Sequence, residues 1–368
     1  MKISLQRTKM LDEAKQSKSH FIVIEILIFA AVFLIGGILE GIIVAVPEMT
    51  YLRNSEEYAA IVNKFTSGEI TQSELSSQVT ALAMNMPDYI TAIALFATAA
   101  LTITCLIYCR FIEKRKISSM GFRKKNAPAE YLVGAAIGVA VFSAAVGICL
   151  VTGSLEFDGI SANIDWGLLG LFLLGFLFQG MSEETLCRGY FMVSLSRRLP
   201  VAAAVGVSSL AFACLHLANN GITPLAFVNL ALFGAFAAVY MLKRGNIWGV
   251  CAIHSLWNFV QGNLYGISVS GMSKMETVLN MNSVSSKELW NGGAFGLEGG
   301  LAVTIVLTVG IVIMLFTKTK PSEVSENSGS EKSYEQYGEN SGSEYSEQEL
   351  NQIKQQNDDM TVINTMMM

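Results

Sequence analysis

Eight runs of mostly apolar residues, at about 21–46, 90–111, 131–152, 166–187, 200–218, 223–242, 247–264 and 299–317, dominate this 368-residue sequence. Each reaches or approaches the roughly 20 residues a helix needs to cross the hydrocarbon of a bilayer. With 52% hydrophobic and 15% charged residues, the composition excludes an ordinary soluble domain. The expected fold is all-α: a polytopic membrane helix bundle of about eight transmembrane helices. The basic stretch before the first run resembles the start of a signal peptide. The run that follows is too long for one and lacks a small-residue cleavage site, so it reads as a retained anchor.

Loop charges give an orientation. The N-terminus and segments 113–125, 188–198 and 243–246 are rich in Lys and Arg, whereas 47–89, 153–165, 217–222 and 265–298 are acidic or nearly uncharged. With eight spans the basic segments fall on one side, which places both termini in the cytoplasm of a multi-pass cell-membrane protein. The six cysteines show no metal-binding spacing and read as small buried apolar residues.

The expected organisation is a cytoplasmic segment 1–20, a three-helix scaffold 21–165 with an external loop 47–89, a four-helix core 166–264, a loop and last helix 265–317, and a disordered acidic cytoplasmic tail 318–368. The external loop holds a short amphipathic helix capped near Thr71. The tail repeats "ENSGSE" and is too polar to bury a core.

Glu25 and Glu40 of the first run read as snorkelling or paired with a neighbour; the other polar chemistry that stands out lies in three places. "QGMSEETLCRGYF" (179–191) follows thirteen residues with no charge; "FACLH" (212–216) and "HSLWN" (254–258) carry two of the chain's three histidines. Ionisable groups at membrane depth cost several kcal/mol or so and mark sites or buried pairs. Glu184 and Arg188 are spaced i,i+4 in the favourable order and read first as a structural pair. Glu183 points about 100° away and shares a face with Gln179 and Cys187, so it needs another partner.

Helical rise supplies that partner. If 166–187 and 200–218 turn near Arg198, Glu183 and His216 lie roughly 22 and 27 Å from the turn, at similar depth. His254 and Asn258 lie one helical turn apart, roughly 13 and 19 Å from a turn near Gly245. A lone intramembrane histidine often only bridges helices, but the combination points to hydrolysis of an amide bond. Glu183 with His216 would deprotonate water, and His254 with Asn258 would donate to an oxyanion.

These residues resemble the CAAX protease and bacteriocin-processing family of intramembrane proteases, whose pattern is EExxxR, FxxxH and HxxxN on separate helices. Here it reads "EETLCRG" at 183–189, "FACLH" and "HSLWN", within a stretch from about 166 to 262. The resemblance implies an eight-helix bundle, catalytic roles for Glu183, His216, His254 and Asn258, and supporting roles for Glu184 and Arg188. It implies a membrane-associated or lipidated protein or peptide as substrate; no nucleic-acid partner is expected. No cofactor is expected, zinc held by Glu183 and the two histidines being the alternative, without an "HExxH" to support it. The remaining alternatives are a transporter and a non-catalytic immunity or membrane-partner protein. The polar groups are expected near the cytoplasmic half, favouring substrates from that side or from the lipid. No function is expected of 265–298.

Overall fold

The computed structural model describes residues 5, 7–17, 19–84 and 86–317; the expected tail lies outside the described residues. The fold is an all-α membrane helix bundle, as the apolar runs predict: a hydrocarbon environment demands that each spanning segment satisfy its own backbone hydrogen bonds. Helices α1 (Lys9–Lys15), α2 (Ile22–Asn54), α3 (Glu56–Thr66), α4 (Gln72–Met84), α5 (Asp88–Ala97), α6 (Ala99–Ile107) and α7 (Ala127–Val151) form the first half. A strand, β1 (Leu155–Ile160), leads to α8 (Trp166–Glu184), a π-helical stretch Thr185–Met192 and the short α9 (Val193–Leu195). There follow α10 (Val201–Leu215), α11 (Pro224–Arg244), α12 (Trp248–Phe259), β2 (Leu279–Ser283), α13 (Glu288–Asn291) and α14 (Leu301–Phe316).

Among the described residues, five segments are long and apolar enough to cross a membrane: Ile22–Asn54, Asp88–Ile112, Ala127–Val151, Trp166–Leu195 and Pro224–Arg244. The other three expected spans are shorter. Helix α10 has 15 residues and α14 has 16, while α12 has 12 before a π turn at Val260–Leu264 extends it. Burial accounts for α12. Every residue from Gly249 to Asn258 except Leu256 is buried, because the helix is wrapped by α7, α8 and α11 rather than by lipid.

Glycines let α12 sit that deep. A Cβ at Gly134 of α7 would lie 2.1 Å from the Gly249 carbonyl oxygen, and one at Gly138 would lie 2.5 Å from that of Ile253. On the other side, a Cβ at Gly180 of α8 would lie 2.7 Å from the Ser255 nitrogen. Such distances put backbone directly against backbone, as small residues permit between membrane helices.

The expected 47–89 loop is largely helical. Helix α2 runs through Pro47 to Asn54, and α3 follows. The Thr71 cap is present: Glu74 N–H donates to Thr71 Oγ1 at 3.3 Å, and Thr71 N–H donates to Glu74 Oε2 at 2.7 Å. This reciprocal pairing is a capping box. The sequence reading did not anticipate the antiparallel ribbon of β1 and β2, which ties 153–165 to the segment after α12.

Two further readings change. The basic stretch 188–198 is mostly helix interior, and two of its arginines are buried. Arg188 pairs with Glu184 at 3.1 Å, and Arg197 bridges Glu25 at 2.9 Å and Glu113 at 2.6 Å. Five cysteines are buried as expected, but Cys214 is exposed.

Candidate active site

Three helices and one returning segment build the site. On α8, Gln179 and Glu183 are one turn apart, and the Gln179 amide donates to Glu183 Oε1. Asn258 of α12 donates in turn to Gln179 Oε1 at 2.9 Å. The other carboxylate oxygen, Glu183 Oε2, is buried and has no hydrogen-bond partner among the described residues. It lies 3.8 Å from His216 Nε2 and 3.8 Å from His254 Nε2. All four expected catalytic residues therefore face one another.

The imidazoles are oriented through their other nitrogens. His216 Nδ1 lies 2.9 Å from the Phe212 carbonyl oxygen, which can only accept, so Nδ1 carries hydrogen. His254 Nδ1 lies 2.8 Å from Glu184 Oε1, and Glu184 also pairs with Arg188. Both Glu184 and Arg188 are fully buried, and the Arg188 guanidinium stacks 4.4 Å from the Phe212 ring centre. They stand behind the site and do not line its cavity. The helix stays continuous through them: α8 passes into π turns at Thr185, a distortion frequent at functional sites.

The cavity itself is small, about 110 Å³, and is lined by Glu183, His216, His254 and Asn258. Its remaining walls include Asn219, from the turn after α10, and Ser270 and Glu298, from the segment between α12 and α14. The sequence reading gave that segment no function, yet it folds back over the site. Asn229 of α11 clamps it by donating to the carbonyls of Glu298 at 2.8 Å and Gly300 at 2.9 Å. Glu298 Oε2 receives Ser270 N–H at 2.7 Å, Ser270 Oγ at 2.9 Å and Gln261 Nε2 at 3.3 Å. Burial pushes this carboxyl above its ordinary range, opposed by the Ser270 bonds. One sequence signal was available: Glu298 is a lone acid in an otherwise uncharged run from 289 to 316.

The depth of the site corrects another expectation. Helix α10 starts just after the 197–200 corner and carries His216 to its far end, about 22 Å away at 1.5 Å per residue. The walls formed by 217–222 and 265–300 belong to the end opposite the basic segments. The polar groups thus sit toward the weakly charged end of the bundle.

As a metal site the set fits poorly. Glu183 Oε2 lies 3.8 Å from each imidazole, but these three residues do not bring one ligand atom each within mutual reach of a single ion. Among the described residues, the His and Glu side chains close enough to share an ion are His20, Glu25 and Glu113 instead. Arginines already pair with both of those carboxylates.

The apolar bundle and its acid–imidazole cluster define a membrane protein with a polar cavity among its helices. The sequence model of one family, described as Rce1-like: Type II CAAX prenyl endopeptidase Rce1-like, matches residues 165–260. That stretch holds all six expected site residues, from Glu183 to Asn258, and bears out the resemblance read from the three motifs; the family implies a protease. No curated protein and no solved structure matches the chain.

Proposed function

We propose that the chain is an intramembrane endopeptidase that cleaves a membrane-associated or lipidated protein or peptide, with Glu183 as the base that activates water. One observation carries the reading: the unbonded Glu183 Oε2 faces two imidazole Nε2 atoms at equal distance. In the tautomer favoured by the Phe212 carbonyl, His216 Nε2 is an acceptor, so it and the carboxylate confront each other without a proton. A water between them supplies the missing donors. The site is also not sealed, since the Glu183 side chain is 21% exposed.

In the proposed reaction the water gives a proton to the Glu183–His216 pair as its oxygen bonds to the scissile carbonyl carbon. The carbonyl oxygen becomes an oxyanion, received by Asn258 and by His254. Asn258 keeps an N–H for this beyond the one given to Gln179. His254 gives its Nδ1 hydrogen to Glu184, so its Nε2 donates only when the ring is an imidazolium. Collapse of the intermediate breaks the C–N bond, and the proton held by Glu183 and His216 passes to the leaving nitrogen. No metal enters this scheme. Glu184 and Arg188 act behind it, holding His254 in place.

With the Lys- and Arg-rich segments cytoplasmic, both termini face the cytoplasm and the cavity lies in the outer half of the membrane. The test is a comparison of membrane proteomes from cells carrying the wild type and Glu183→Ala at equal protein levels. An uncut precursor should accumulate with the variant. Unchanged processing of every membrane protein would overturn the reading.

A further inference from the structure

The cavity holds more negative charge than the proposed chemistry uses. Besides Glu183 it is lined by Glu298. Among the described residues no lysine or arginine lines the cavity; the polar remainder is two imidazoles, four amides and Ser270. Arg188 is committed to Glu184 and lies behind Phe212. With His254 as the imidazolium that the proposed reaction needs, 3.8 Å from Glu183, an ionised Glu298 would leave this apolar pocket with one uncompensated negative charge.

Glu298 is set up to receive a ligand. Its three hydrogen bonds all fall on Oε2 and pin the side chain in the wall, leaving Oε1 for the cavity. Its surroundings are aromatic: Phe176, Phe212, Phe233 and Trp257 share the lining. Aromatic faces beside a carboxylate, without competing basic side chains, are the chemistry that recognises an organic cation. A volume of about 110 Å³ has room for an ammonium group with a few methylenes, not for a bulky ring system.

We infer that Glu298 and the surrounding aromatic rings form a subsite for an alkylammonium group of the substrate, beside the reacting centre. The inference rests on the reading of this cavity as the peptidase site. The ammonium group would come from a lysine side chain or from the N-terminus of the substrate chain. Either source places a positive charge near Glu183, so the subsite selects substrates with a basic group close to the cleaved bond. Because the segment bearing Glu298 lies outside residues 165–260, this selectivity belongs to the part of the chain that the family match does not cover.

The experiment measures binding without turnover, so its outcome is independent of the Glu183→Ala proteome comparison. Full-length protein in detergent micelles is titrated with three probes and its thermal unfolding midpoint is followed. N-acetyl-lysine methylamide carries only a side-chain ammonium, norleucine methylamide only an α-ammonium, and N-acetyl-norleucine methylamide neither. At least one charged probe should bind at least about tenfold more tightly than the neutral one, the worth of a hydrogen bond to a charged group; which one identifies the source. Glu298→Gln should abolish that preference. The preference of the wild type for the lysine probe, whose ammonium stays charged throughout, should also grow with rising pH as the buried carboxyl loses its proton, and this serves as the readout if the variant does not accumulate. Equal affinity for charged and neutral probes, a preference that survives Glu298→Gln, or a preference that does not change with pH would overturn the inference.

Discussion

Glu184 Oε1 lies 2.8 Å from His254 Nδ1, a contact between residues 70 positions apart in sequence. The same oxygen lies 3.1 Å from Arg188 Nη1. In the sequence, Glu184 and Arg188 make a self-contained pair; in the fold they reach across to the third motif. A carboxylate on one imidazole nitrogen fixes which way the other points, so Glu184 aims His254 at Glu183.

Removing that carboxylate should be costly. Glu184→Ala leaves Arg188 as an uncompensated buried cation and His254 without its orienting partner. Breaking a buried pair in this way costs about 3–5 kcal/mol. A thermal unfolding scan in detergent should show a large loss, and the double variant Glu184→Met with Arg188→Met should recover much of it. A single variant as stable as the wild type would contradict this account of the pair.

Glu183→Gln should separate chemistry from folding. The amide keeps the shape and the contact with Gln179 but cannot take a proton. The expected loss in cleavage rate is about 10²–10⁴-fold, the usual worth of a general base, with an unchanged unfolding midpoint. Full activity in the glutamine variant would remove Glu183 from the base role.

Gly138→Leu should disrupt the bundle with no change in polarity. A Cβ there already meets the Ile253 carbonyl oxygen at 2.5 Å, and the obstruction is backbone that cannot rotate aside. Overpacking costs about 1–3 kcal/mol or more. Expression and melting of Gly138→Leu should fall well below those of Gly37→Leu, where nothing lies within 4 Å. Equal behaviour of the two would refute the tight contact of α7 with α12.

The Thr71 capping box gives a pH dependence far from the site. Backbone and side-chain bonds from Thr71 hold Glu74 below the ordinary carboxylate range. A carboxyl depressed in the folded state stabilises above its unfolded pKa, and that contribution disappears as pH falls through the folded value. Amide exchange in the first turn of α4 should therefore accelerate below about pH 4.5 relative to its last turn. Thr71→Ala should remove the difference.

The motif helices were legible because membranes make polar residues conspicuous. Glu183, His216, His254 and Asn258 stand out in apolar runs, and helical spacing brought Glu183 and His216 to comparable depth. Two kinds of information were hidden. Helix α12 looks like any apolar run, and only its neighbours show that it is central. Glu298 reaches the cavity through an irregular segment, where no period of 3.6 or 2 connects position to direction. The expected placement of the polar groups near the basic segments failed for a related reason. Arg188 and Arg197 counted as loop charges, yet both are buried in ion pairs, and the distance to His216 points to the other end.

The seam between α7 and α12 limits how a substrate can enter. Bare peptide groups meet there, so parting the two helices would turn carbonyls toward acyl chains with nothing to replace the lost packing. On the proposed reading, a substrate arriving from the bilayer would enter by another wall, leaving both site residues of α12 in register.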